Sequence, residues 1–260
     1  MVTFVGRSTD RYDENWLATN WVDRYASPKL RLFCIAHAGG THTVFERWPG
    51  YFAPSVQICA VKLPARGSRL LEPPTHKMEE ICAPLAEVVS QLSDVPFAFF
   101  GECSGALIAL ATIQYLERNH RITPACLFPA SIPDPCSAFG GKFHQMNHAD
   151  FVSKIVADGL IEPAILAEEE FIDFFSSQIR ADFHLVEGHD FSNSPVVSCP
   201  IVTFSSARDR LSDASFYEKW RKRTSSSWSH LKTGLSIVSE DGEDVVKGQI
   251  AAILEQTLTT

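Results

Sequence analysis

An α/β fold, with a mostly parallel central sheet and helices on both of its faces, is predicted by two observations. Short apolar runs recur along the chain, and between them lie longer stretches with apolar residues at three- and four-residue spacing. The runs are Leu30–Ala36, Val56–Leu63, Phe97–Phe100, Ala125–Pro129 and Ile201–Ser205, mostly bounded by Gly or Pro. Continuous rather than alternating apolar character marks strands covered on both faces. Met78–Leu92 and Ser104–Glu117 have helical spacing; in the second, Ala106, Ala109, Leu110, Ile113 and Leu116 supply one face. From Cys136 to about Phe191 no strand is evident, and DFVSKIVADGL and EEEFIDFFSSQIRADFHLV are amphipathic helices. Residues 136–191 are therefore expected to form a helical lid inserted between two strands. Asp244–Leu258 reads as a last helix.

A chain of 260 residues with 45% apolar and 21% charged side chains fits one domain spanning 1–260. Lys and Arg number 23 against 31 Asp and Glu, a formal charge of −8, and no segment concentrates basic residues. Nucleic acid and anionic membrane are poor partners for such a surface. The start, MVTFVGRSTDRYDENW, has no apolar signal segment, and nowhere do eighteen apolar residues run together. A cytoplasmic, soluble protein is expected. Seven cysteines, odd in number and without CxxC pairs, are expected to be mostly reduced and buried. No metal-ligand spacing and no GxGxxG or GxxxxGK occurs, so no cofactor is expected.

The chemistry is expected where Phe97–Phe100 runs through Gly101, Glu102, Cys103, Ser104 and Gly105 into a helix. Strand, sharp turn and helix around G-x-S-x-G form the nucleophile elbow of α/β-hydrolases, where the middle residue is raised above the sheet. Here the register of the two glycines puts Cys103 at the nucleophile position and leaves Ser104 to offer its backbone N–H to an oxyanion. A free cysteine at a strand end is ordinarily an inert hydrophobe. A second piece meets the pattern, because Ala36, His37, Ala38, Gly39 and Gly40 follow the first run where a glycine-bearing oxyanion loop belongs. Ala38 is the second expected oxyanion donor.

These residues resemble the type II thioesterases of nonribosomal peptide and polyketide assembly lines, which are α/β-hydrolases. The resemblance is carried by RLFCIAHAGGTHTVFERWP, VKLPARGSR, PFAFFGECSGALIAL, IRADFHLVEGH and CPIVTFSSARD, in that order. It implies an enzyme acting on acyl or aminoacyl groups held as thioesters on the phosphopantetheine arm of an acyl or peptidyl carrier protein. By position, Cys103 stands for the family's serine and Asp209 for its acid. The family's GGHFFL is replaced by a segment in which Glu243 occupies the histidine position, and Glu102 replaces the histidine that usually precedes the nucleophile.

Cys103, Asp209 and Glu243 are thus the expected catalytic residues, with His37, Glu102 and Arg66 as expected substrate contacts. A thiol, unlike a hydroxyl, is a few per cent ionised near neutrality at its ordinary pKa of about 8.5, and a helix N-terminus would lower that value. Glu102 would oppose the shift. Hydrolysis of an acyl-cysteine needs a base for water, and Glu243 is a poor one, so transfer to a thiol, or cyclisation, is the rival outcome. A silent carrier-protein-binding partner is the rival from another class. Among other histidines, His230 would reach Cys103 only through a loop of altered length, and His184 and His189 are expected to face solvent or line the chamber. Arg66 could meet the pantetheine phosphate, although a loop arginine is more often an ion-pair partner. Phe171, Phe174, Phe175 and Phe183 could line an acyl pocket, though packing is the default, and Asp134 reads first as a turn residue.

Overall fold

Among the described residues, seven strands make one sheet: β1 (Leu17–Ala18), β2 (Leu30–Ile35), β3 (Val56–Val61), β4 (Phe97–Glu102), β5 (Cys126–Ala130), β6 (Ile201–Ser206) and β7 (Trp228–Thr233). Their spatial order is β1-β3-β2-β4-β5-β6-β7, with every pair parallel except β1 on β3. The helices are α1 (Trp48–Phe52), α2 (Met78–Gln91), α3 (Ser104–Tyr115), α4 (His148–Ala157), α5 (Glu169–Glu187), α6 (Ala214–Tyr217) and α7 (Glu240–Thr259). This computed structural model describes residues 15–18, 28–52, 55–132, 135–136, 142–158, 160, 169–206, 214–234 and 240–259.

The alternation of side chains along each strand divides the core into two layers. Phe97 and Phe99 of β4 face one layer with α2 and α3, through Ile81, Leu85, Val89, Leu107 and Leu110. Ala98 and Phe100 face the other, where Trp48 and Phe52 of α1 and Val246, Ile250 and Leu254 of α7 cover the sheet. Strands buried on both sides cannot alternate in polarity, which is why the five apolar runs located them to within about two residues. Two strands lacked that signal. β1 is two residues long, and β7, Trp-Ser-His-Leu-Lys-Thr, is a half-buried edge strand.

Helix α3 departs from the single apolar face expected for it: eleven of its residues are buried. It is wedged among the sheet, α2 and α5, and a helix enclosed on all sides is apolar all round. The elements described between β5 and β6 are helical, α4 and α5 with a short 3-10 turn at Phe143–Gln145. A small core of Ala38, Phe151, Ile155, Ile179 and Phe183 joins these helices to the loop after β2. Among the described residues, no helix is long and apolar enough to cross a membrane.

The chain passes from β2 to β3 on one side and then to β4 on the other, so strand order reverses between β2 and β4. In open α/β sheets the crevice at the carboxyl ends of the strands flanking such a reversal is where ligands bind. Here those ends lead to Ala38 and to Cys103.

Candidate active site

The β4–α3 turn is sharp because two glycines permit it. A Cβ at Gly105 would lie 2.3 Å from the carbonyl oxygen of Ile35, and one at Gly101 would lie 2.5 Å from the backbone of Ala106. Only hydrogen fits between strand and helix at either position. Cys103 between them is held at φ 50 and ψ −118, a left-handed conformation that costs a non-glycine residue about 1–3 kcal/mol. Its N–H donates to the carbonyl of Ala130 at 2.8 Å, and its carbonyl accepts from Ala106 at 3.1 Å. These bonds pin the strained residue with its side chain partly exposed.

The sulfur faces the backbone N–H groups of Ser104 and Ala38, and both favour its thiolate. The two expected oxyanion donors therefore converge on one point beside the expected nucleophile. The balance between the helix N-terminus and Glu102, open in the sequence, falls against ionisation. Burial pushes the Cys103 thiol up to about 12, the charge of Glu102 adds to the rise, and the two N–H groups and α3's N-terminus do not offset it. Asp182 raises it further.

Glu102, whose charge acts on the thiol, also meets His37, with Nδ1 of His37 3.2 Å from Oε2 of Glu102. Burial alone would lower the His37 pKa, but the hydrogen bond and charge of Glu102, with help from Asp182, leave it raised. Asp182 on α5 was not singled out in the sequence. Its Oδ2 accepts from the Gly39 N–H at 2.7 Å and from Arg66 Nη1 at 2.6 Å, while Oδ1 accepts from Arg66 Nη2 at 2.5 Å. One buried carboxylate thus ties the oxyanion loop to the insert. The Arg-Ala-Asp run inside an amphipathic helix was the available signal, since an aspartate on the apolar face of a helix demands a partner.

The other expected site residues lie as follows. Arg66 is 6% exposed and both terminal nitrogens are held by Asp182, so it takes the place of an ion-pair partner rather than a phosphate contact. Glu243, at the start of α7, accepts from the indole N–H of Trp48 and lies 3.9 Å from Lys247 Nζ. Asp209 and Asp134 lie outside the described residues. His230 belongs to β7, not to a loop before it. Its two ring nitrogens bond Thr203 Oγ1 at 3.0 Å and Ser205 Oγ at 3.1 Å, and its ring stacks on Tyr217, which removes it as a base for Cys103. His184 stacks between His76 and His144, with ring centroids 4.4 Å apart in both pairs, along a cavity of about 410 Å³ at the insert. Phe183 packs into the insert core, while Phe171 and Phe174 are exposed. A second cavity, of about 340 Å³, lies between α2 and the far end of α3 and is lined by Cys82, Gln114 and His189. Neither cavity is lined by Cys103. Among the described residues no cluster of His, Cys, Asp or Glu could hold a metal ion.

Residues 30–257 match the thioesterase domain family. The chain belongs to the thioesterase family. This thioesterase is 28% identical over 202 residues to gramicidin S biosynthesis protein GrsT of Aneurinibacillus migulanus, covering 76% of this chain and 78% of that one. It superimposes on RedJ, a thioesterase from the prodiginine biosynthetic pathway in Streptomyces coelicolor, with TM-score 0.79 and 26% identity over 88% of this chain and 87% of that one. The type II thioesterase BorB, from the borrelidin biosynthetic cluster, shares the fold at TM-score 0.80 and 22% identity, over 92% of this chain and 97% of its own. The α/β-hydrolase fold expected from the elbow is the fold of these neighbours.

Proposed function

We propose that this thioesterase processes acyl or aminoacyl groups carried on the phosphopantetheine arm of a carrier protein, through a covalent Cys103 acyl-enzyme, with water or a second nucleophile as acceptor. The observation that carries the reading is the Cys103 sulfur at a strained strand–helix turn facing the N–H groups of Ala38 and Ser104. The likeness to a gramicidin S biosynthesis protein and to a thioesterase of the prodiginine pathway supports the class of substrate.

In the first half-reaction the Cys103 thiol loses its proton and sulfur attacks the thioester carbonyl carbon. The carbonyl oxygen becomes an oxyanion and accepts from the two backbone N–H groups. On collapse the bond to the pantetheine sulfur breaks, and that sulfur leaves with a proton as a thiol. Donors fixed in advance by β2, β4 and α3 need no rearrangement as charge develops, which is where such sites gain most. We read Glu243 as a contact holding α7 to α1 through Trp48, not as a stand-in for the missing histidine. Asp209 retains its positional correspondence to the family's acid and nothing more. No cofactor enters this chemistry.

The test is to incubate the protein with acyl-loaded carrier protein, quench in acid and measure the intact mass. An acyl adduct on Cys103, absent from Cys103→Ala, is expected. No adduct, with the variant and the parent consuming thioester equally, overturns the reading.

A further inference from the structure

The cavity of about 410 Å³ at the insert gathers chemistry that the acyl-enzyme reading does not use. Arg180 on α5 lines it, with His184 one turn further along the same helix and His76 from the loop before α2. His144 of the 3-10 turn and His148 at the start of α4 complete the basic lining. We propose that this cavity is a phosphate site, in which Arg180 supplies a fixed positive charge and the rings of His76 and His184 supply N–H donors to the oxygens. The inference stands apart from the Cys103 reading, since Cys103 does not line this cavity.

Arg180 carries the argument. Its Nη1 donates to the carbonyls of His144 at 2.8 Å and Met146 at 2.7 Å, and its Cζ lies 4.0 Å from the centroid of the Phe151 ring. The guanidinium is thereby fixed. Among the described residues no carboxylate pairs with it, whereas Arg66 is answered by Asp182 and Arg69 by Glu72. Partial burial accordingly lowers the Arg180 pKa with no carboxylate to oppose it. Nε and Nη2 keep their N–H groups unspent, and such a fork matches two oxygens of a phosphate. His184 is stacked between His76 and His144, and the ring nitrogens of His76 and His184 have no hydrogen-bond partner among the described residues. Stacking fixes these rings and leaves their donors available. The carboxylates nearby are already engaged: Asp173 Oδ1 lies 3.0 Å from His148 Nε2, and Glu187 Oε2 lies 2.5 Å from His144 Nδ1. Both Glu187 oxygens also accept from the N–H groups of Phe143 and His144. The charge of Arg180 is therefore left in excess. Donors from α5 and from the loop before α2 reach the cavity from different elements, which suits a tetrahedral oxyanion better than a planar carboxylate.

The stack also couples anion binding to protons. Burial lowers the His184 pKa, the neighbouring His144 and His76 lower it further, and Glu187 opposes them. These are the groups facing His184 from the 3-10 turn, the loop before α2 and its own helix, with Arg180, His148 and Asp173 on the walls of the same cavity. An anion beside Arg180 favours the charged imidazole, so the His184 pKa is higher with the anion bound than without it. Affinity for an anion of constant charge must then rise as pH falls through the higher value, and level off below the lower one.

Binding of inorganic phosphate is measured by calorimetry, and the His184 ring signals, identified by their loss in His184→Phe, are followed by NMR. Saturable binding that shifts those signals is expected. Arg180→Met should weaken it about tenfold or more, the effect of losing a charge-assisted pair. Because Arg180 also holds the carbonyls of His144 and Met146, His76→Phe is the second variant. It keeps a ring on the stack, removes the nitrogens and should weaken phosphate about threefold. Acetate should bind about tenfold more weakly than phosphate. Sulfate, whose charge is constant between pH 8 and 6, should bind more tightly as pH falls, and His184→Phe should flatten that dependence. Phosphopantetheine bound more tightly than phosphate, with pantetheine inert, assigns the site to the arm of a carrier protein; equal affinity for the two phosphates assigns it to free phosphate. No saturable binding, binding unchanged in Arg180→Met and His76→Phe, acetate equal to phosphate, or sulfate affinity that does not rise on acidification overturns the proposal. None of these outcomes touches the Cys103 reading, which stands or falls on its own adduct.

Discussion

Asp182→Ala tests how far α5 anchors the loop after β2. Asp182 and Arg66 side chains are each 6% exposed and form two charge-assisted bonds of 2.5 and 2.6 Å, and a third bond from the Gly39 N–H ends on the same carboxylate. Removing one partner of such a pair strands a buried charge, which costs about 3–5 kcal/mol. The Gly39 N–H loses its acceptor as well, and an unsatisfied buried donor adds about 1–3 kcal/mol. Water entering the gap returns part of this, so a net loss of about 4 kcal/mol is expected. In a domain of this size that lowers the thermal midpoint by roughly 10 °C. The double variant Arg66→Met/Asp182→Leu removes both charges and should recover most of the loss, because apolar replacement of a whole buried pair is often neutral. The assay is urea denaturation of the parent, both single variants and the double variant, giving a coupling energy. Single losses below about 1 kcal/mol with no coupling would show that the pair is solvated and that the oxyanion loop is anchored by something else.

Three shorter predictions follow from the geometry. Gly105→Ala would place a Cβ 2.3 Å from the Ile35 carbonyl, so strand and helix must separate; a stability loss of about 1–3 kcal/mol and loss of Cys103 acylation are expected, by denaturation and intact mass. Because the Cys103 thiol lies near 12, its alkylation by iodoacetamide should rise about tenfold per pH unit between pH 7 and 10 without levelling, and Glu102→Gln, which removes a charge that raises the thiol pKa, should accelerate it at pH 8; a plateau below pH 9 would contradict both. Ser131 holds φ 55 just after β5, so Ser131→Gly relieves a left-handed backbone and should raise stability by about 0.5–1 kcal/mol in the same denaturation assay.

Five of the seven described strands and the five longer described helices were legible in the sequence, the strands for a physical reason: a doubly covered parallel strand must be apolar along its whole length, and Leu30–Ile35 and Phe97–Glu102 are. The elbow was legible because its glycines are enforced by backbone contacts that no other residue satisfies. Edge strand β7 was not, since a half-buried Trp-Ser-His-Leu-Lys-Thr has no continuous apolar run, and His230 was consequently assigned to a loop. The thiol's acidity was not legible because a sequence shows a helix N-terminus and a neighbouring glutamate but not the burial that decides between them. The His37–Glu102 and Arg66–Asp182 contacts join residues 65 and 116 positions apart, and no local pattern reports such pairings.

The substitutions at 102, 103 and 243 bear on one another through proton affinity. With the thiol pushed up to about 12, moving its proton to an imidazole is uphill, and an imidazole whose pKa is itself raised narrows that gap. Each carboxylate facing the site acts on both ends of the transfer in the same direction. Glu102 and Asp182 raise the thiol and raise the imidazole together, so the gap between them changes less than either value. An alcohol at the same turn would share that cancellation but would begin from a far weaker acid. A thiol at 103 therefore leaves a smaller gap to any imidazole acceptor than an alcohol would, while the carboxylate of Glu243 accepts from the Trp48 indole N–H.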